Sequence, residues 1–296
     1  MAEMNQNEPS PLQTTMQIPL LTQLVMLTTL LGKHIRQTIT GFGALVRFSG
    51  QVFAGIPHVR TWTRGDRLTR QLFFVGTMSL PVIGLTGAFI GMILAFEGYL
   101  QFASIGQQSR LGGVINISIV KQLGPVLAAV MLAGRVGCSL AAELGTMRVT
   151  EQLDAMRAMA SDPVRVLVVP RVVACVAMIP VLTVVSNLCG VIGAWLICTK
   201  FYSADPDAYW RFSRQFVTGY SIFNGLIKSV SYGAAIGIIS CYKGFNCQPG
   251  AEGVGKATTN AFVSSFLAII FLSLILAKLL NDIDFIIHGG TQSVFG

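Results

Sequence analysis

Two lysines, Lys121 and Lys228, interrupt stretches that are otherwise apolar. A charge at membrane depth is expensive, so by default it marks a pathway or a partner. The competing reading is a long stem that lets the ammonium snorkel to the interface. Lys121 stands seven positions past Val114, about 10 Å along a helix, so snorkelling is within its reach. Charge also concentrates in residues 143–163, between two apolar runs. Val149, Leu153, Met156 and Ala160 recur there at helical spacing. Arg148–Glu151 and Asp154–Arg157 are spaced to pair on one helix face. Gly145 permits a bend before this segment, and Ser161-Asp162-Pro163 ends it, because the residue before proline disfavours helix. The pattern predicts a short amphipathic helix at a membrane face. Such a helix either floats as a connector or inserts into a groove on a soluble partner. Its compactness, its helix formers and its mixed charge favour docking.

Other chemistry-like patterns are weaker. Gly250-Ala251-Glu252-Gly253-Val254-Gly255-Lys256-Ala257 imitates a phosphate-binding loop, but Ala257 replaces the hydroxyl residue that holds magnesium and no strand precedes it. It reads as a glycine-rich turn into the last helix. Asn116-Ile117-Ser118 matches a glycosylation sequon at the start of an apolar run and needs no functional explanation. Cys138, Cys175, Cys189, Cys198, Cys241 and Cys247 lack metal-type spacing and lie mostly in apolar runs, where thiols act as small hydrophobes. His34, His58 and His288 are too scattered for a metal site.

These residues must be positioned by elements that suit the composition. Hydrophobic side chains make up 52% of the 296 residues, charged ones 11%, with a mean hydropathy of +0.64. Soluble domains carry about 25% charged residues. The balance excludes a disordered chain, a soluble enzyme and a nucleic-acid binder with a basic coat. The net charge of +8 instead fits contact with an anionic membrane face, since the basic residues sit between apolar runs.

Residues 1–17 read as a polar, flexible extension, and they make a poor signal peptide. Residues 20–46 show an amphipathic helical pattern (Leu20, Leu24, Leu27, Leu31, Ile35, Ile39, Phe42, Val46), with possible breaks at Gly41 and Gly43. That helix either lies on the membrane or packs on protein. Five spans follow, at 72–96, 114–142, 172–199, 220–242 and 257–280, with 281–296 as a tail. The first is a 25-residue uncharged run, about 37 Å as helix against a hydrocarbon layer of roughly 30 Å. Continuous runs of this kind exclude a membrane barrel, whose strands alternate. The fold class is therefore all-α and polytopic. With a cytoplasmic N-terminus, Lys33, Arg36, Arg47, Arg60, Arg64, Arg67, Arg70, Arg148, Arg157, Arg165, Arg171, Lys243 and Lys256 fall inside, and only Arg110, Lys200, Arg211 and Arg214 outside. That distribution obeys the positive-inside rule and puts the C-terminus outside. Gly87-x-x-x-Gly91 and Gly233-x-x-x-Gly237 allow close helix approach, within the chain or in a dimer seam.

An ordered series of motifs runs Ala133-Gly134-Arg135-Val136-Gly137, Ala142-Glu143-Leu144-Gly145-Thr146-Met147, Thr150-Glu151-Gln152-Leu153-Asp154-Ala155-Met156, Asp162-Pro163 and Val169-Pro170-Arg171. It is flanked by Gly91-Met92-Ile93-Leu94, Gly98-Tyr99-Leu100, Leu123-Gly124-Pro125, Ile227-Lys228-Ser229-Val230 and Ala257-Thr258-Thr259. The series resembles the MlaE/YrbE permease family, the membrane subunits of ABC lipid transporters that work with MCE-domain proteins, and the likeness covers about residues 70–280. Lys121-Gln122 departs from the Arg-Glu of some relatives.

The resemblance implies a homodimeric, non-enzymatic permease with an interfacial N-terminal helix. It implies a cytoplasmic ABC ATPase that carries the Mg-ATP and grips segment 143–163, with no cofactor in this chain. It also implies an MCE-domain protein on the periplasmic side. The cargo would be glycerophospholipid, moved between the inner and outer membranes of a diderm bacterium to maintain outer-membrane asymmetry. Glu143, Gly145, Met147, Arg148, Glu151, Gln152, Asp154 and Met156 are the expected ATPase-coupling residues. Leu94, Phe96, Glu97, Tyr99, Leu100, Lys121, Gln122 and Lys228 are the expected lipid-binding residues. The lysines would meet the phosphate and the apolar side chains the acyl chains, while Glu97 would gate or simply face solvent. Two other classes stand against this reading. A secondary transporter needs carboxylates inside its spans, and a lipid-modifying enzyme needs a nucleophile–base pair or a metal cluster.

Overall fold

The computed structural model describes residues 20–57 and 66–288. The expected extension at 1–17, Arg60, Arg64 and the last part of the tail lie outside them. Residues up to Phe48 and from Ser49 onward form two compact units. Helix α1 (Leu20–Gly55) is continuous through Gly41 and Gly43, so the possible break there is corrected. Interior glycine costs about 1 kcal/mol relative to alanine, too little to interrupt a helix of 36 residues.

The second unit is an up-and-down bundle. Its elements are α2 (Arg67–Ser104), α3 (Leu111–Val149), α4 (Gln152–Ala158), α5 (Val164–Lys200), α6 (Pro206–Phe216), α7 (Gly219–Phe245) and α8 (Ala251–His288). Five of them, α2, α3, α5, α7 and α8, are long and apolar enough to cross a membrane. Each runs past the uncharged stretch that marks it. Charge ends the hydrocarbon segment but not the backbone hydrogen bonding, so α8 starts directly after Gly250 (φ +90°) and continues to His288, through the first half of the expected tail. The short connections put the ends of α3 and α7, the starts of α5 and α8 and all of α4 at one end of the bundle, here the elbow end. Helix α6 lies at the far end.

Missing side chains bring the helices together. A Cβ on Gly87 would collide with the Ser186 carbonyl, and one on Gly91 with the Gly190 backbone, so α2 and α5 touch main chain to main chain. Gly233 and Gly237 sit likewise against Cys175, Val176 and Val172 of α5. Both small-residue patterns are thus used inside the chain. Helices α5 and α7 are central. Leu85, Phe89 and Ile93 of α2, and Leu267, Phe271 and Leu274 of α8, are more than half exposed and form lipid-compatible outer faces.

Candidate functional site

Helix α3 leaves α-helical geometry twice, in π turns at Ile119–Leu123 and Ala133–Gly137. Such turns widen the helix and re-aim side chains. The first carries Lys121 and Gln122. Helix α7 presses on it at Gly225, where a Cβ would meet the Val120 carbonyl oxygen, and α5 presses at Gly124, where one would meet the Asn187 amide. These contacts seat Lys228, one turn beyond Gly225 and only 1% exposed, against the π turn. Its Nζ donates to Gln122 Oε1 at 2.7 Å and to the Lys121 carbonyl at 3.1 Å. Gln122 Nε2 in turn donates to Ser273 Oγ of α8 at 2.6 Å.

Lys121 gives its carbonyl to Lys228, which makes the two cations near neighbours, and its side chain is half-buried. Among the described residues its ammonium has no hydrogen-bonding or acidic partner. One turn before and one turn after Lys228 on α7, the Asn224 amide and the Tyr232 hydroxyl are buried without hydrogen-bond partners, although Tyr232 lies beside Ser273. A pair of cations with spare polar groups and no carboxylate, inside an apolar bundle, is suited to an anionic group.

The second π turn holds Arg135. Its Nη1 donates to Ser79 Oγ, and its guanidinium lies 5.6 Å from the Phe74 ring centre. This side chain pins the bent start of α2 to α3.

The elbow differs in shape from the expectation. Glu143, Gly145, Met147 and Arg148 belong to the last turns of α3, which continues to Val149. The chain turns at Thr150 and at Glu151 (φ +58°), not at Gly145. Gly145 is instead covered by Cys247 and Val254, which gives the helix no reason to bend there. Arg148 pairs with Asp154 at 3.0 Å rather than with Glu151, while Arg157 makes the expected pair with Asp154 at 2.7 Å. Leu153 is fully buried and anchors α4. Arg157 lies 5.4 Å from the Phe245 ring centre at the end of α7. Glu151 and Gln152 are exposed, and Met147 and Met156 are half-buried.

Glu143 accepts from Arg171 Nη2 of α5 at 2.9 Å. In the sequence Arg171 stands out as an inside basic residue and as the end of the Val169-Pro170-Arg171 motif, with no partner indicated. The available signal was a cation immediately before the uncharged run that starts at Val172.

At the far end, Tyr99 stacks on Tyr202 with ring centres 3.8 Å apart, and Phe96 meets Phe201 and Tyr202 edge-on. Leu94 and Tyr99 pack on a core of Ala95, Ile115, Ile119 and Ala194. Glu97 and Leu100 are exposed. The expected lipid-binding residues therefore fall into two groups, an aromatic cluster at the far end and the Lys121–Gln122–Lys228 cluster inside the bundle. Ile119 belongs both to the core cluster on which Leu94 and Tyr99 pack and to the π turn that carries Lys121.

Residues 68–279 match the family described as Permease MlaE. A probable ABC transporter permease protein of Rickettsia typhi is 36% identical over 87% of this chain and 98% of its own length. The intermembrane phospholipid transport system permease protein MlaE of Haemophilus influenzae is 34% identical over 83% of this chain and 95% of its own length. A probable ABC transporter permease protein of Synechocystis is 40% identical over 78% of this chain and 88% of its own length. The matched segment contains the π turns, both lysines and the elbow, and the chain belongs to the MlaE permease family.

Proposed function

We propose that this chain is the membrane permease subunit of an ABC transporter that moves glycerophospholipid between the inner and outer membranes of a diderm bacterium, in support of outer-membrane asymmetry. The observation that carries the reading is the unpaired Lys121 ammonium beside buried Lys228 within the bundle. A phosphodiester supplies the missing negative charge and the acceptor oxygens. Leu94, Phe96, Tyr99 and Leu100 supply apolar surface for the acyl chains, and Gln122 holds Lys228 in place. The name of the Haemophilus relative supports the same cargo.

Hydrolysis of Mg-ATP belongs to a separate ATPase subunit on the cytoplasmic face, which grips the exposed side of the elbow around Glu151, Gln152 and Asp154. Two copies of the chain assemble, with an MCE-domain protein on the periplasmic side. The N-terminus is cytoplasmic and the C-terminus periplasmic, as the basic residues at the elbow end favour. ATP-driven displacement of the elbow changes helix packing around the lysine cluster.

The test is co-purification followed by reconstitution. The tagged chain is expected to bring down an ABC ATPase and an MCE-domain protein, and vesicles holding the complex should transfer phospholipid only with ATP. Lys121→Gln with Lys228→Met should abolish transfer while leaving the complex assembled. Transfer without nucleotide, or unchanged transfer by the double variant, overturns the reading.

A further inference from the structure

A cavity of about 310 Å³ lies beneath α6, lined by Asn116, Val120, Val191, Trp210, Ser213, Arg214 and Val217. It stands back to back with the lysine cluster. Val120 of the π turn faces this cavity, while its neighbours Lys121 and Gln122 engage α7 and α8. The cavity exists because α6 is laid across the start of α3. Gly112 and Gly113 have no side chains to hold it off, and Cβ atoms there would strike the rings of Tyr209 and Phe216.

The polar wall is already satisfied from within. Asn116 Nδ2 donates to Ser213 Oγ at 2.7 Å, Tyr209 Oη donates to Asn116 Oδ1 at 3.0 Å, and Ser213 Oγ donates to the Tyr209 carbonyl at 2.7 Å. Burial pushes the Tyr209 phenol up, so it remains a donor at neutral pH. With these groups engaged, the wall presents little unmet hydrogen bonding to an apolar guest. Val120, Val191 and Val217 supply the rest of the lining.

The rim has the opposite character. Arg214 is exposed, and Trp210 is 40% exposed. An indole beside a guanidinium on a short amphipathic helix, next to the ends of membrane spans, is the arrangement that places side chains at headgroup level. A largely apolar slot with the Arg214 cation at its mouth matches an amphiphile with an anionic head.

We propose that this cavity binds one acyl chain of a phospholipid drawn laterally from the leaflet beside α6, with the lipid phosphate paired to Arg214. The guanidinium fork fits phosphate oxygens, and the tail runs along Val191 and Val217 toward Val120. The site requires only that the chain be embedded in a bilayer, so it stands apart from whether the chain transports lipid.

The test uses the full-length chain in phospholipid nanodiscs doped with a phosphatidylethanolamine analogue carrying a photoactivatable diazirine in one acyl chain. Cross-linked residues are mapped by mass spectrometry. Leu267, Phe271 and Leu274 on the outer face of α8 report ordinary boundary lipid. Saturable labelling at Val191, Trp210 and Val217, stronger than at the α8 positions, is expected. Val191→Phe fills the cavity and should remove that labelling without changing the α8 signal. Arg214→Gln, a surface change that leaves the fold intact, should weaken it about tenfold, the loss expected for a charge-assisted hydrogen bond. A diacylglycerol carrying the same diazirine tail should label the cavity as weakly as Arg214→Gln does. Labelling beneath α6 no stronger than on α8 and insensitive to both variants means boundary lipid only and overturns the proposal. Equal labelling by the diacylglycerol overturns the assignment of Arg214.

Discussion

Arg171 Nη2 at the start of α5 donates to Glu143 Oε2 near the end of α3 at 2.9 Å, with Arg171 only 4% exposed. The other terminal nitrogen, Nη1, is buried without a partner. The pair ties the elbow ends of two spans together a few residues from the elbow itself. Replacing Glu143 by Gln strips the guanidinium of its counter-charge. Because the Glu143 side chain keeps 42% of its surface in solvent, the expected cost is about 1–3 kcal/mol rather than the roughly 3–5 kcal/mol of a fully buried pair. Arg171→Met with Glu143→Gln should be less destabilising than the sum of the single changes. A double-mutant cycle on thermal unfolding in detergent measures this, and strict additivity would mean that the two side chains do not interact.

Lys228 offers a contrast between stability and function. A buried cation is costly to hold, and an apolar replacement of similar shape removes that cost. Lys228→Met should therefore keep the unfolding midpoint within a few degrees, while phospholipid transfer by the reconstituted complex drops at least about tenfold. A variant that fails to fold, or one that transfers normally, contradicts the assignment.

The elbow separates anchoring from docking. Leu153 is fully buried, so Leu153→Ala should cost about 2–5 kcal/mol. Asp154 makes only exposed ion pairs, with Arg148 and Arg157, each worth about 0.2–1 kcal/mol. Asp154→Arg should leave the bundle folded but reduce ATPase recovery in a pull-down. Glu151 occupies left-handed backbone at φ +58°, where glycine carries no steric penalty. Glu151→Gly should thus be neutral or slightly stabilising, yet lose ATPase binding if the carboxylate is the docking group. Full ATPase recovery with Glu151→Gly removes Glu151 from the interface.

Close helix approach predicts a gradient among glycines. Gly91→Ala must separate two backbones, since its Cβ would overlap Gly190 main-chain atoms. Gly84→Ala meets only side-chain atoms at ordinary contact distance, the Cys189 thiol at 3.4 Å and Val185 Cγ1 at 3.9 Å. Gly91→Ala is expected to lower the unfolding midpoint sharply in a detergent melt and Gly84→Ala hardly at all. Equal effects would show that α2 does not pack on α5 as described.

The spans, their number and the presence of an elbow were legible in the chain because apolar length and charge are one-dimensional properties. Leu72 to Phe96 carries no charge whichever neighbours it acquires, and lipid alone makes such a run a helix. Lys121 and Lys228 were visible as anomalies for the same reason. Their meeting was not, because it depends on a π turn, a local departure from regular pitch with no reliable sequence mark, and on Gly225 letting α7 approach it. Arg148 turned from Glu151 to Asp154 because the helix ended at Thr150 and placed the next turn alongside it. Arg171 and Glu143, 28 positions apart, found each other only once α3 and α5 were packed side by side. Single-residue chemistry and span length follow from the order of side chains along the chain. Partner choice among buried charges follows from which helix faces touch, and that is decided by packing in three dimensions.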